Sequence, residues 1–148
     1  MKNKILVKGF TLIELLVVIG IIGLLASTIL LALNKARVKA RDVRRAGDVH
    51  QMSTALESYN SEWGGYPTAV TDLTPSLLGA SPVAPNPPDG TCTAAQNNYV
   101  YTNSGTSDVS SKDGITPIYP SFTYSFCLGL NVENITPGAH TLTPAGSQ

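Results

Sequence analysis

Glu14 is the hardest residue in this chain to account for. It is the one ionisable group between Phe10 and Leu33, inside the stretch KGFTLIELLVVIGIIGLLAS (residues 8–27). A charge within lipid is rare and costly, and it calls for a named partner. Two partners are open. Glu14 lies one turn from the start of the apolar run, where a helix dipole favours an anion; alternatively, a cation from another chain neutralises it. Other candidates for chemistry are sparse. His50 and His140 have no cysteine or carboxylate at metal-ligand spacing. Asp89, Asp108 and Asp113 fall in loop-like sequence and could offer oxygens to Ca²⁺, although a loose acid set is more often solvated surface. Neither a glycine-rich phosphate loop nor a Gly-x-Ser-x-Gly elbow occurs. Neither catalysis nor a resident cofactor is therefore expected.

The elements that would position Glu14 come next. Residues 10–33 form a 24-residue run with no other charge. As a helix this run is about 36 Å long, enough to cross a hydrocarbon core of about 30 Å. A cleaved secretory signal would be shorter in its apolar part. No proline occurs before Pro67, and Val49, Met52, Leu56, Tyr59 and Trp63 recur on one helical face. Gly64-Gly65 and Tyr66-Pro67 then stop the helix. The spacing predicts one helix from about Phe10 to Trp63, apolar all round in its first half and amphipathic in its second. Small residues at Gly23/Ser27 and Ala32/Ala36/Ala40 permit close helix approach in lipid.

Charge is ordered along the chain although it sums to zero. Residues 1–9 hold three lysines. Residues 35–45 hold Lys35, Arg37, Lys39, Arg41, Arg44 and Arg45 against Asp42 alone, and beyond them acids dominate. The basic run reads as contact with anionic headgroups or acidic neighbours, with DNA a minor alternative. Its six bases outnumber the three before the span, which opposes the usual cytoplasmic bias of basic residues.

The N-terminal stretch resembles the class III signal of type IV pilins and type II secretion pseudopilins: a short basic leader, a Gly-Phe junction, Glu five residues after the cut and an apolar helix. The resemblance implies cleavage after Gly9 by a prepilin peptidase, N-methylation of Phe10 and an assembly role for Glu14. The amine freed on Phe10 of a neighbouring subunit then supplies the cation that Glu14 lacks. ALESYNSEWGGYPT is similar to the end of the long helix in the pseudopilin branch. Leu31 stands where many members carry proline, so the sequence gives no reason for a kink there.

From residue 64 the composition turns to Thr, Ser, Gly, Asn and Pro. Thr74-Pro75-Ser76-Leu77-Leu78-Gly79 reads as a capped short helix, and Pro82, Pro85, Pro87 and Pro88 before Asp89-Gly90 as a proline-set loop. Phe122, Tyr124, Phe126, Leu128, Leu130 and Val132 alternate with smaller or polar residues, predicting a half-buried antiparallel strand that Gly129 could break. Residues 98–103 and 139–143 are its candidate partners. Asn134-Ile135-Thr136 matches a glycosylation triplet. Cys92 and Cys127 read as one disulfide if the domain is exported, and as two separate thiols in the cytosol. Cys127 falls on the outward face, so a bridge would staple the loop over the outside of the sheet.

The expected fold is α+β and type IV pilin-like: one long N-terminal helix, membrane-spanning in its first half, packed on a small antiparallel sheet. Its parts are a cleaved leader (1–9), a transmembrane or filament-core half (10–33), an amphipathic half (34–63) and an exported globular domain (64–148). The first functional expectation is a structural subunit of a type IV pilus-like filament, displayed on the surface. The alternative is a type II secretion pseudopilin forming a short periplasmic piston, and a third is a monomeric membrane-tethered binding module. Expected partners are the prepilin peptidase, other copies through the N-terminal helix, an assembly platform and membrane lipid, but not nucleic acid. The protein is expected to be a single-pass cytoplasmic membrane protein before assembly.

Overall fold

The structure is a computed structural model that describes residues 9–108 and 113–147. The leader lysines Lys2, Lys4 and Lys8 lie outside the described residues. Helix α1 runs from Leu12 to Trp63. The chain divides into two compact units, with the boundary between Arg37 and Val38.

In the first unit every described residue is exposed, including Leu12, Ile13, Leu15, Ile21, Leu24 and Leu30. A helix satisfies its own backbone hydrogen bonds, the condition a segment must meet to stand in lipid. The few hydroxyls follow the same rule: Ser27 Oγ and Thr28 Oγ1 donate back to the carbonyls of Leu24 and Leu25, at 2.8 and 2.9 Å. By length and composition this helix is apolar enough to cross a membrane.

The second unit joins the rest of α1 to an antiparallel sheet of β1 (Val100–Ser104), β2 (Ser121–Leu128), β3 (Gly138–Thr143) and β4 (Gly146–Ser147), in that spatial order. Val49, Met52, Ala55, Leu56 and Tyr59 of α1 share one buried cluster with Phe122, Tyr124, Phe126 and Leu128 of β2. This is the period of a helix laid on the period of a strand, each element hiding one face against the other. Aromatic contacts close the cluster: Tyr66 meets Phe122 edge-on at 4.7 Å, and Tyr99 lies 5.5 Å from Tyr124. The Tyr66 hydroxyl donates to Glu57 and is pushed up to about 12, first by burial and then by that carboxylate.

Two local expectations need correction, and one pairing was not foreseen. The alternating strand does not reach Val132; it ends at Leu128, because the next two amides are bound by a side chain from α1, described below. The short helix over residues 74–79 does not form. Instead Asp72 Oδ2 accepts the Ala69 N–H at 2.9 Å and sets a 3₁₀ turn at Val70–Leu73, four residues earlier, and Thr74 closes that turn. The pairing of β4 with the end of β3 carries no alternating pattern in sequence and was not expected.

Cys92 and Cys127 are joined in a disulfide spanning 35 residues. Both are buried, yet neither belongs to the main apolar cluster. The bridge ties the proline loop to β2 outside that core.

Candidate functional site

Gly9 and Phe10 are exposed, and Phe10 is 81% accessible. Just inside them, Thr11 and Glu14 form a capping box at the start of α1. Glu14 Oε2 accepts the Thr11 N–H at 2.9 Å and the Thr11 hydroxyl at 2.6 Å, and Thr11 Oγ1 accepts the Glu14 N–H at 3.3 Å. Both bonds to the carboxylate use the same oxygen. Oε1 has no hydrogen-bond partner among the described residues, so a cation from outside the chain could bind there without breaking the cap.

The second unit contains a charged cluster that sequence reading missed. Asp42 and Arg45, both fully buried, sit three residues apart on α1, in phase with the apolar stripe that follows. Asp42 accepts the amides of Gly129 and Leu130 at 3.1 and 2.8 Å, and the Arg45 guanidinium at 2.7 Å. Arg45 in turn donates to Asp89 at 3.0 Å, to the carbonyls of Pro85 and Pro87, and to Asn97 Oδ1 at 2.8 Å. Arg41 grips Asp89 through Nε and Nη2. One turn of helix thus holds the proline loop with one hand and the end of β2 with the other. The glycines allow the closest approach: a Cβ on Gly90 would collide with the Gly129 carbonyl oxygen, and one on Gly129 would lie 2.5 Å from Asp89 Cβ. Buried charges survive only when paired and hydrogen-bonded, and this arrangement satisfies every one of these groups except Arg45 Nε.

This clasp revises two earlier expectations. Two of the six bases, Arg41 and Arg45, are engaged inside the fold and do not face lipid or a neighbour. Asp89 is bound by those guanidiniums and is not part of a calcium set. Asp108 pairs through its backbone with Ile118, and Asp113 accepts the amides of Ile115 and Thr116. Among the described residues no group of three or more His, Cys, Asp or Glu is gathered to hold a metal. His50 is exposed on α1, and His140 sits against Phe126 with its Nε2 at 2.8 Å from the Thr136 carbonyl.

The clasp has a pH signature. The Arg41 hydrogen bond holds the Asp89 carboxyl below its usual value; burial opposes this, and Arg45 reinforces it. A carboxyl that binds its proton less tightly when folded contributes stability above its unfolded value, near pH 4, and loses it as pH falls through the folded value. In urea unfolding of the full-length protein in detergent, Asp89→Asn should be clearly less stable than the parent at pH 7. The gap should close as pH drops below about 4. An equal gap at pH 3 and pH 7 would show that the ionised form of Asp89 contributes nothing.

Comparison with known proteins bears on the N-terminal site. Residues 6–30 match the family model described as the prokaryotic N-terminal methylation motif. The chain is 35% identical over 79 residues to the type II secretion system core protein G of Aeromonas hydrophila, covering 53% of this chain and 54% of that protein. It is 36% identical over 85 residues to the protein of the same name in Klebsiella pneumoniae, covering 56% of this chain and 61% of that one. Against that of Escherichia coli (strain K12) it is 37% identical over 78 residues, 53% of each chain. The chain therefore spans little more than half the length of the relatives it matches. Among solved structures none matches it.

Proposed function

We propose that the chain is a member of the pilin and pseudopilin family and a structural subunit of a type II secretion pseudopilus, cut after Gly9, methylated on Phe10 and assembled from the cytoplasmic membrane. The observation that carries this reading is the coincidence of the methylation motif over residues 6–30 with relatives named as secretion core protein G. Those relatives favour the secretion pseudopilin over the displayed pilus, which the sequence alone put first. The helix-end segment Trp63-Gly64-Gly65-Tyr66-Pro67 points the same way.

The physical logic starts at the junction. Cleavage between Gly9 and Phe10 turns an exposed peptide bond into a free amine next to the capping box. In a filament that amine meets Glu14 of an adjacent copy, at the carboxylate oxygen its own cap leaves open. At about 4 Å and an effective dielectric near 20, the pair attracts by about 4 kcal/mol. The apolar surface of the first unit, exposed from Phe10 to Leu33, is buried in lipid before assembly and between copies afterwards. Prepilin peptidase and a membrane assembly platform are the implied partners, and the role is structural rather than enzymatic.

Electron microscopy tests the choice between the two filament readings. At native expression, short filaments should be confined to the cell envelope and sheared surface fractions should lack long fibres. Abundant long surface fibres containing this chain would return the displayed pilus to first place. A protein that forms no filament in either fraction would be a tethered monomer.

A further inference from the structure

Asp42 binds the amides of Gly129 and Leu130, and just beyond them the chain reverses in a tight turn where Val132 and Ile135 exchange backbone hydrogen bonds. Between this turn and α1 lies a surface groove of about 610 Å³. Val43, Ala46 and Gly47 line its helix side, and Val132 and Glu133 line the other. Two features shape it against local preference. Gly47 stands inside a helix, where glycine is weaker than alanine, yet a Cβ there would meet nothing within 4 Å. Packing among the described residues therefore does not demand the glycine. Glu133 takes a φ of 53°, the left-handed region that favours glycine. Backbone held in this way clusters at binding sites.

The proline loop lies on the other flank of the same helix. At about 100° per residue, Lys39, Val43, Ala46 and His50 fall within about 60° of one another, and Arg41, which grips the loop, lies about 170° from their mean. Both surfaces also sit at one level of α1, since the groove spans positions 39–50 and the loop is held from Arg41 and Arg45. The loop carries Val83, 73% exposed, next to the buried Ala84. Arg45 holds the carbonyls of Pro85 and Pro87, and Cys92 ties the far end to β2. A valine presented from so fixed a backbone gives up little freedom on binding. Prolines donate no hydrogen bond and leave the loop rich in acceptors, while Lys39 and Asn131 bring donors to the groove. Val43, 51% exposed, offers the matching apolar contact.

We propose that this groove receives the proline loop of a second copy of the chain, with Val83 leading, an inference that rests on the filament reading above. Knob and groove lie on opposite flanks at the same level. A copy placed alongside in the same orientation, with little shift along the helix, therefore brings one to the other. Subunits anchored in one membrane share that orientation. The two patches differ, so the contact is heterologous and repeats from copy to copy, as a filament requires. The clasp thereby acquires a second consequence, since it fixes the loop that the next copy receives.

The test uses the full-length protein in its host. Gly47→Leu fills the groove, and Val83→Asp puts a charge on the knob. Each should lower filament yield by about tenfold or more. The urea midpoint in detergent should stay at the parent value for Val83→Asp and should not fall for Gly47→Leu. Normal filament yield from either variant would overturn the proposal. A cross-link decides the contact without relying on filaments. Chains carrying Val43→Cys and chains carrying Val83→Cys, expressed together and oxidised in membranes, should form a mixed disulfide dimer that neither chain forms alone. Absence of the mixed dimer, or coupling of the groove cysteine to a different protein, would refute the contact. If the parent forms no filament but the mixed dimer appears, the filament reading fails and the contact stands.

Discussion

Replacing Arg45 by alanine should destabilise the domain by about 3–5 kcal/mol, the cost of removing one partner from a buried charge cluster. The loss has several parts that act together. Asp42 and Asp89 each lose a cationic donor, while the carbonyls of Pro85 and Pro87 and the side chain of Asn97 lose theirs. Asp42 and Asp89 are buried, and water cannot replace the missing donor without opening the proline loop. Arg44→Ala supplies the control. It removes the same charge one residue away at an exposed position, and should change stability by no more than about 0.5 kcal/mol. Urea unfolding of the full-length chain in detergent measures both. Similar midpoints for the two variants would mean that the clasp does not hold the loop.

Glu14→Ala should abolish filament assembly while leaving processing intact. The interchain attraction of about 4 kcal/mol corresponds to about a thousandfold in association between neighbouring copies. The variant also loses its capping box, which costs the helix start only about 1 kcal/mol. That difference in size separates the two roles the residue could have. A cap alone predicts filaments of near-normal yield that melt slightly earlier. Compensation of a neighbour's amine predicts membrane-bound subunits, cut and methylated, with no filaments. Glu14→Gln sharpens the contrast, since the amide oxygen can still accept from Thr11 but carries no charge. Normal filaments from Glu14→Gln would remove the ion pair from the account.

How far the sequence could be read depended on how local each determinant is. The long helix was legible because its signals are local: an uninterrupted apolar run, then a stripe at Val49, Met52, Leu56 and Tyr59, then Gly64-Gly65. The alternation in β2 was legible for the same reason. Its end was not, because the group that binds the Gly129 amide lies 87 residues earlier. Asp42 and Arg45 looked like surface charge in a basic run, and composition offers no way to tell a buried arginine from an exposed one. One signal was available. Counting back from Val49 in steps of four and three lands on Arg45 and Asp42, so the stripe continues through two charges of opposite sign. Paired charges in the phase of a buried stripe mark a clasp. At Thr74-Pro75 the sequence carried a helix-start signature, but Asp72 had already bonded the Ala69 amide and set the turn earlier. Two competing local signals were present there, and the first along the chain prevailed. At the N-terminal site the relevant residues, Gly9, Phe10 and Glu14, were legible from their pattern, whereas the use of a single Glu14 oxygen by the cap required coordinates.

The central claim is that a trimmed terminus on one copy meets the membrane-embedded acid of the next, and the most direct measurement is the intact mass of the protein purified from its own host. The account predicts a chain that begins at Phe10, lighter by the nine residues ending in Gly9, heavier by one methyl group, and short of two hydrogens for the bridge between Cys92 and Cys127. A mass that retains Met1 through Gly9 in assembled material would contradict it.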